Sequence, residues 1–200
     1  MIGRGLRPRG TAGVSIFASD RERRLWLWTL VVVVAIYATL GVTGVLAEEL
    51  RDRGLLAGGF ATAMVLVGAT VLTQGLRTRP RGIEIAVALG VTVVYLMVIV
   101  RMALEERTHL IEYGVVAVLI LEALAERVDR GRRVPLPAVL AIVATALLGA
   151  VDEGIQAVIP TRVFDVQDIV FNTLAAIMAI AASLALGWAR RLRHRTPGAD

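Results

Sequence analysis

Six times between Leu25 and Trp188 the chain enters an apolar run of about the length that crosses a bilayer, and that recurrence limits the fold more than any other feature. The runs are Leu25–Leu46, Leu55–Leu76, Ile83–Val100, Leu110–Leu124, Leu136–Val151 and Ile169–Trp188. At 1.5 Å rise per residue the first two reach about 33 Å and cross a hydrocarbon core of roughly 30 Å unaided. The fourth and fifth are shorter and need their polar ends to help. Lipid offers no water to backbone N–H and C=O groups, so runs of this kind span as helices. The expected fold is all-α: a polytopic transmembrane bundle of about six helices over residues 25–189, flanked by basic tails at 1–24 and 190–200.

The rest of the composition narrows the chemistry. With 56% of its 200 residues hydrophobic and a mean hydropathy of +0.71, the chain has no room for a soluble catalytic domain, so any reaction lies in or beside the bilayer. Cysteine is absent, which removes disulfides, thiolate ligands and cysteine nucleophiles. All 22 basic residues are arginine, which removes Schiff-base and lysine-base mechanisms. The first run follows arginines and ends in Val45-Leu46-Ala47, which resembles a signal-peptide cleavage site, but its apolar core exceeds the usual 7–15 residues and it reads as an anchor.

Arginine placement sets the expected orientation. With the N-terminus inside, 17 arginines fall on the cytoplasmic side and 5 (Arg51, Arg53, Arg101, Arg107 and Arg162) on the other. The reading is N-in and C-in, in a bacterial plasma membrane. It puts two polar segments, ALEERTHLIEY and VDEGIQAVIPTRVFDVQD, on the extracytoplasmic face. The fourth helix starts there, the fifth ends there and the sixth starts there. At about 100° per residue, Glu105, His109, Glu112 and Tyr113 share an arc of roughly 100° if the fourth helix extends back that far. Asp152 and Gln156 are one turn apart, as are Asp168 and Asn172, so all of them can face one outward pocket at headgroup depth.

At these residues the sequence resembles the VanZ-like family of bacterial integral membrane proteins. The shared pattern is an acidic residue followed by H-x-x-x-Y, then D-E-x-x-Q, P-x-R and D-x-x-x-N. Here it reads Glu105, His109 and Tyr113, then Asp152, Glu153 and Gln156, Pro160 and Arg162, and Asp168 and Asn172. The variant E-x-R-x-H-x-x-E-Y brings in Arg107 and Glu112. The resemblance covers about residues 104–182, and Ala175 stands where the family usually has glycine. It implies a cell-envelope role linked to teicoplanin-type glycopeptide resistance, and it does not imply a reaction.

Each candidate has a structural reading beside the functional one. Asp168 opens the sixth run, where an N-cap or a partner for the helix dipole is expected. Glu112 sits in a similar first turn, Tyr113 suits an interfacial aromatic belt, and Arg162 is expected to pair with a neighbouring carboxylate. His109 favours function, because it sits among carboxylates and titrates near neutral pH, while the other histidine, His194, lies in the basic tail. Hydroxyl nucleophiles near the face reduce to Thr108 and Thr161, which excludes a serine triad. What remains is acid–base chemistry by His109, Glu105, Glu112, Asp152, Glu153 and Asp168. Arg162, Gln156, Asn172, Tyr113 and Arg107 would hold the ligand. No cofactor is expected: one histidine among oxygens would suit Mg²⁺, Mn²⁺ or Ca²⁺, but the spacing matches no defined metal motif.

Three functional classes follow. An outward pocket can bind an amphiphile, such as a lipoglycopeptide or a lipid-linked wall precursor. The same pocket can serve a membrane-embedded hydrolase or transferase. A transporter has less support, since no charge lies at mid-bilayer depth and no inverted repeat is visible. The tails read as inner-leaflet electrostatic anchors, so membrane lipids are expected partners, and nucleic acid is not, for want of interleaved aromatics or a reading module.

Overall fold

The computed structural model describes residues 16–55, 58, 59, 62, 65, 82–101, 104–160 and 164–195. Within them are five long helices: α1 (Asp20–Asp52), α2 (Gly82–Arg101), α3 (Leu104–Asp129), α4 (Pro137–Gln156) and α5 (Val166–Arg195). All five are long and apolar enough to cross a membrane, and no strand occurs among the described residues. The expected span Leu55–Leu76 lies almost wholly outside them; within it Gly58, Gly59, Thr62 and Val65 are helical.

Every helix overruns the apolar run that announced it, because hydropathy marks the hydrocarbon while caps mark the helix. α1 starts at Asp20, where Ser19 accepts the Glu22 N–H at 3.0 Å and Glu22 accepts the Ala18 N–H at 2.6 Å. α3 ends in a Schellman turn: Gly131, at φ 79°, donates to Val128 O and Arg132 donates to Arg127 O. α4 begins with Pro137 in its first turn, behind Leu136 in the left-handed region. It continues past Val151 to Gln156, which makes Asp152, Glu153 and Gln156 helical. α5 is capped by Asp165, whose Oδ1 accepts the Gln167 N–H at 2.7 Å. The N-cap role weighed for Asp168 therefore belongs to its neighbour three residues earlier.

α3 packs most extensively on α5 and also on α1 and α4, so it is the central helix. Ile120 meets Ala141 and Ile180 in the larger apolar cluster, while Leu110 and Tyr113 meet Ala175 in the smaller one. α3 and α5 are thus parallel, and α4 runs against both. Small residues let the backbones approach: a Cβ on Gly114 would sit 3.5 Å from that of Ala179, and Ala175 and Ala176 are fully buried. Alanine thus fits where the family resemblance had glycine. Thr29, Thr92, Thr145 and Thr173 each donate to the carbonyl four residues back, so these four hydroxyls are satisfied within their own helices. α2 keeps little of its surface covered, and Leu89, Leu96 and Met97 face outward as lipid-facing side chains do.

The antiparallel arrangement separates two polar ends. At one, Arg21 binds Glu122 and Glu126, both at 2.7 Å, Arg127 binds Glu22 at 2.6 Å and Arg130 binds Glu126 at 2.9 Å. Ser19 adds a bond to Glu126 at 2.8 Å. This network ties the start of α1 to the end of α3. The other end gathers the start of α3, the end of α4 and the start of α5.

Candidate functional site

The carboxylate-rich end is built around one buried hydrogen bond. Tyr113, 1% exposed, donates its hydroxyl to Asp152 Oδ2 at 2.8 Å and so joins α3 to α4. Four residues earlier on α3, His109 stacks on the Tyr113 ring, with centroids 6.1 Å apart and planes 13° from parallel. Its Nδ1 is buried and has no hydrogen-bond partner among the described residues. Glu112 interacts electrostatically with both His109 and Asp152.

The turn after α4 closes the cluster. Glu153, fully buried, accepts the Gln156 amide at 2.9 Å and the Asp165 backbone N–H at 3.1 Å, which buckles the end of α4 to the cap of α5. Glu153 also interacts electrostatically with Asp168, Asp152 and His109. Asn172 lies one turn further along α5, fully buried against Gly149 of α4. A Cβ on Gly149 would come within 2.8 Å of the Asn172 Cβ and 2.9 Å of its Nδ2, so only glycine leaves room for this amide. Neither the Oδ1 nor the Nδ2 of Asn172 has a partner among the described residues. Such groups are rare in native interiors, where buried polar atoms are bonded to protein or to ordered water.

Of the residues singled out from sequence, His109, Glu112, Tyr113, Asp152, Glu153, Gln156, Asp168 and Asn172 come together here. Gln156 and Glu153 hold each other, so both have a structural task whatever else they do. Glu105 and Arg107 lie on the first turn of α3, with their side chains outside the described set, and Arg162 lies outside the described residues. No three His, Asp or Glu side chains among the described residues assemble as a metal site.

Three contributors escaped the sequence reading. Tyr37 of α1 donates its hydroxyl to Leu148 O at 2.8 Å and interacts electrostatically with Asp152, giving the cluster a wall from the first helix. Its signal was a polar-tipped aromatic inside the run VVVVAIYATL, since a phenol in hydrocarbon needs an acceptor. Gly149 offered one too: a glycine one turn before Asp152 permits a close approach. Asp165 is the third, as the true cap.

A family model described as VanZ/LLP1 matches residues 73–187, more than half of the chain. The chain belongs to the VanZ/LLP1 family. No curated protein and no solved structure matches it. The VanZ/LLP1 match takes in α2, α3, α4 and nearly all of α5, and with them every carboxylate, histidine and amide of the cluster. α1 and Tyr37 precede it.

Proposed function

We propose that this VanZ/LLP1 chain is a six-span, N-in and C-in protein of the bacterial plasma membrane. Its carboxylate-rich end opens on the extracytoplasmic side and receives the polar head of an amphiphile in the cell envelope. The observation that carries the reading is the meeting of three helix ends around the buried Tyr113–Asp152 bond, with His109 stacked on one partner and Asn172 buried against Gly149, one turn of α4 before the other. Tails of an amphiphile would stay in lipid while its head enters from the side, which suits groups held at the membrane boundary. The orientation rests on the split of 17 arginines against 5 and accords with the Arg21–Arg127–Arg130 network at the opposite end. The resemblance behind the family supplies the candidate amphiphiles: a teicoplanin-type lipoglycopeptide or a lipid-linked wall precursor.

The Tyr113–Asp152 pair beside His109 also supports a second reading, a hydrolase or transferase in which these groups move a proton on a lipid-linked intermediate. One experiment addresses both. A reporter fused after Asp200 is expected to score cytoplasmic and one inserted near Arg162 external. In a glycopeptide-susceptible host, expression is expected to lower teicoplanin susceptibility. His109→Gln and Asp152→Asn should accumulate normally and lose that effect. Full retention of the effect by both variants at equal abundance removes acid–base chemistry and leaves binding alone, whereas inverted reporters remove the outward pocket.

A further inference from the structure

We propose that the turn between α3 and α4 is a docking site for an anionic phospholipid, with its phosphodiester head in a cleft beside Arg133 and an acyl chain along α4. The site lies at the end of the bundle opposite to the carboxylate cluster and does not depend on what that cluster binds.

The head has a place of its own. An open cleft of about 440 Å³ lies at this turn, lined by Val128, Gly131, Arg132, Arg133, Val134 and Pro135. That volume is within the range of sites that take small ligands. Two guanidiniums line the cleft and no carboxylate does. Asp129, the nearest carboxylate in sequence, is exposed, and α4 has no acidic residue in its first turn. Arg127 and Arg130 are taken by Glu22 and Glu126. Arg132 has an interaction within the chain, so the weight falls on Arg133, which is exposed and has no hydrogen bond or ion pair among the described residues. A guanidinium presents paired donors that match the oxygens of a phosphate. The backbone on both sides is fixed: Gly131, at φ 79°, donates to Val128 O at 2.8 Å, and Leu140 donates to Leu136 O at 3.0 Å.

Charge alone does not distinguish a lipid head from a soluble anion, but the apolar rim does. Leu136, the one described residue other than glycine at positive φ, holds a left-handed backbone that bulky L-residues avoid, and its side chain is 71% exposed. Turned to water, that side chain gains nothing, whereas against an acyl chain it is buried. Leu140, Val143 and Leu147 follow it at spacings of four, three and four residues, all exposed on one face of α4. This stripe leads from the cleft toward the middle of the apolar stretch Pro137–Gln156. Only residues 130–136 join that stretch to the preceding one, Thr108–Asp129, so when both helices cross a bilayer the two arginines sit at headgroup depth.

The test uses the full chain in nanodiscs of equimolar phosphatidylglycerol, phosphatidylethanolamine and phosphatidylcholine, with native mass spectrometry reading the lipids that stay bound. Phosphatidylglycerol is expected to be retained over both zwitterionic lipids. The preference should fall about fivefold in Arg133→Gln and about tenfold or more when Arg132→Gln is added. Arg133→Gln breaks no bond among the described residues, so its thermal unfolding in pure phosphatidylcholine should match that of the parent, which separates lost binding from lost folding. Leu136→Asn suits the left-handed backbone and keeps every charge, and it is expected to weaken retention a few-fold by removing the apolar contact. Equal retention of the three lipids would overturn the proposal. So would an equal loss of preference when Arg190→Gln and Arg191→Gln remove two exposed arginines at the end of α5, because the attraction would then belong to the basic end at large. Competition by inorganic phosphate that Leu136→Asn does not alter would make the ligand a soluble anion and overturn the lipid.

Discussion

Glu22 at one end of the bundle and Glu153 at the other are both fully buried, yet their surroundings differ in kind. Glu22 meets the Arg127 guanidinium, the Trp26 indole N–H and the Ala18 N–H, and neighbouring Glu126 meets Arg21, Arg130 and Ser19. Glu153 meets an amide and a backbone N–H, while Asp152 meets a phenol. Opposite charges at hydrogen-bond distance fix a structure, because removing either leaves a buried ion behind. Neutral donors hold geometry through directed hydrogen bonds rather than through paired charge. One end is thus a fastener. The other is joined by hydrogen bonds from a phenol, an amide and a backbone N–H.

The sharpest way to break this comparison is to remove charge at each end and measure stability. Arg127→Ala strands the buried Glu22 carboxylate, and a loss of about 2–4 kcal/mol is expected in denaturant or thermal unfolding of the reconstituted protein. A change under about 0.5 kcal/mol would show that this end is not a fastener. Gly149→Ala should come next: its Cβ meets Asn172 at 2.8 Å, and overpacking costs about 1–3 kcal/mol. The cost should shrink when combined with Asn172→Ala, since the two changes share one space, and strict additivity would place the strain elsewhere. The smallest effect is expected from Asp152→Asn, which keeps an acceptor for the Tyr113 hydroxyl while deleting a charge. Unfolding free energy should move by less than about 1 kcal/mol. A loss as large as that of Arg127→Ala would mean that the two ends work alike, each held by ion pairs.

How much of this was open to view in the sequence depends on what kind of signal each part leaves. The helices were legible because apolar stretches of this length have few other uses, and the expectation of helical His109 and Glu105 on one face of α3 holds, since α3 begins at Leu104. Helix ends were less legible. Val151 closed the apolar run, but the backbone stays helical through Gln156, and that extra turn brings Asp152 and Glu153 into the bundle. Asp165 and Asp168 are chemically identical candidates for one cap, and only the backbone geometry assigns it to Asp165. The polar residues near the face stood out against their apolar setting. Gly149 did not, because glycine in a membrane helix has several ordinary explanations and its reason here sits on another helix. Arg162 and nearly all of the span Leu55–Leu76 lie outside the described residues.

Tyr37 carries a consequence for inheritance. The family match begins at residue 73, whereas the phenol that bonds Leu148 O belongs to α1. The matched residues 73–187 bring the histidine, carboxylates and amide, and the first helix adds a contact from outside that stretch. Leu148 O is also the carbonyl that would receive the Asp152 N–H in a regular α-helix, so the phenol presses on the very turn that presents the carboxylate. Substitutions in α1 would therefore retune that turn without altering a residue between 73 and 187.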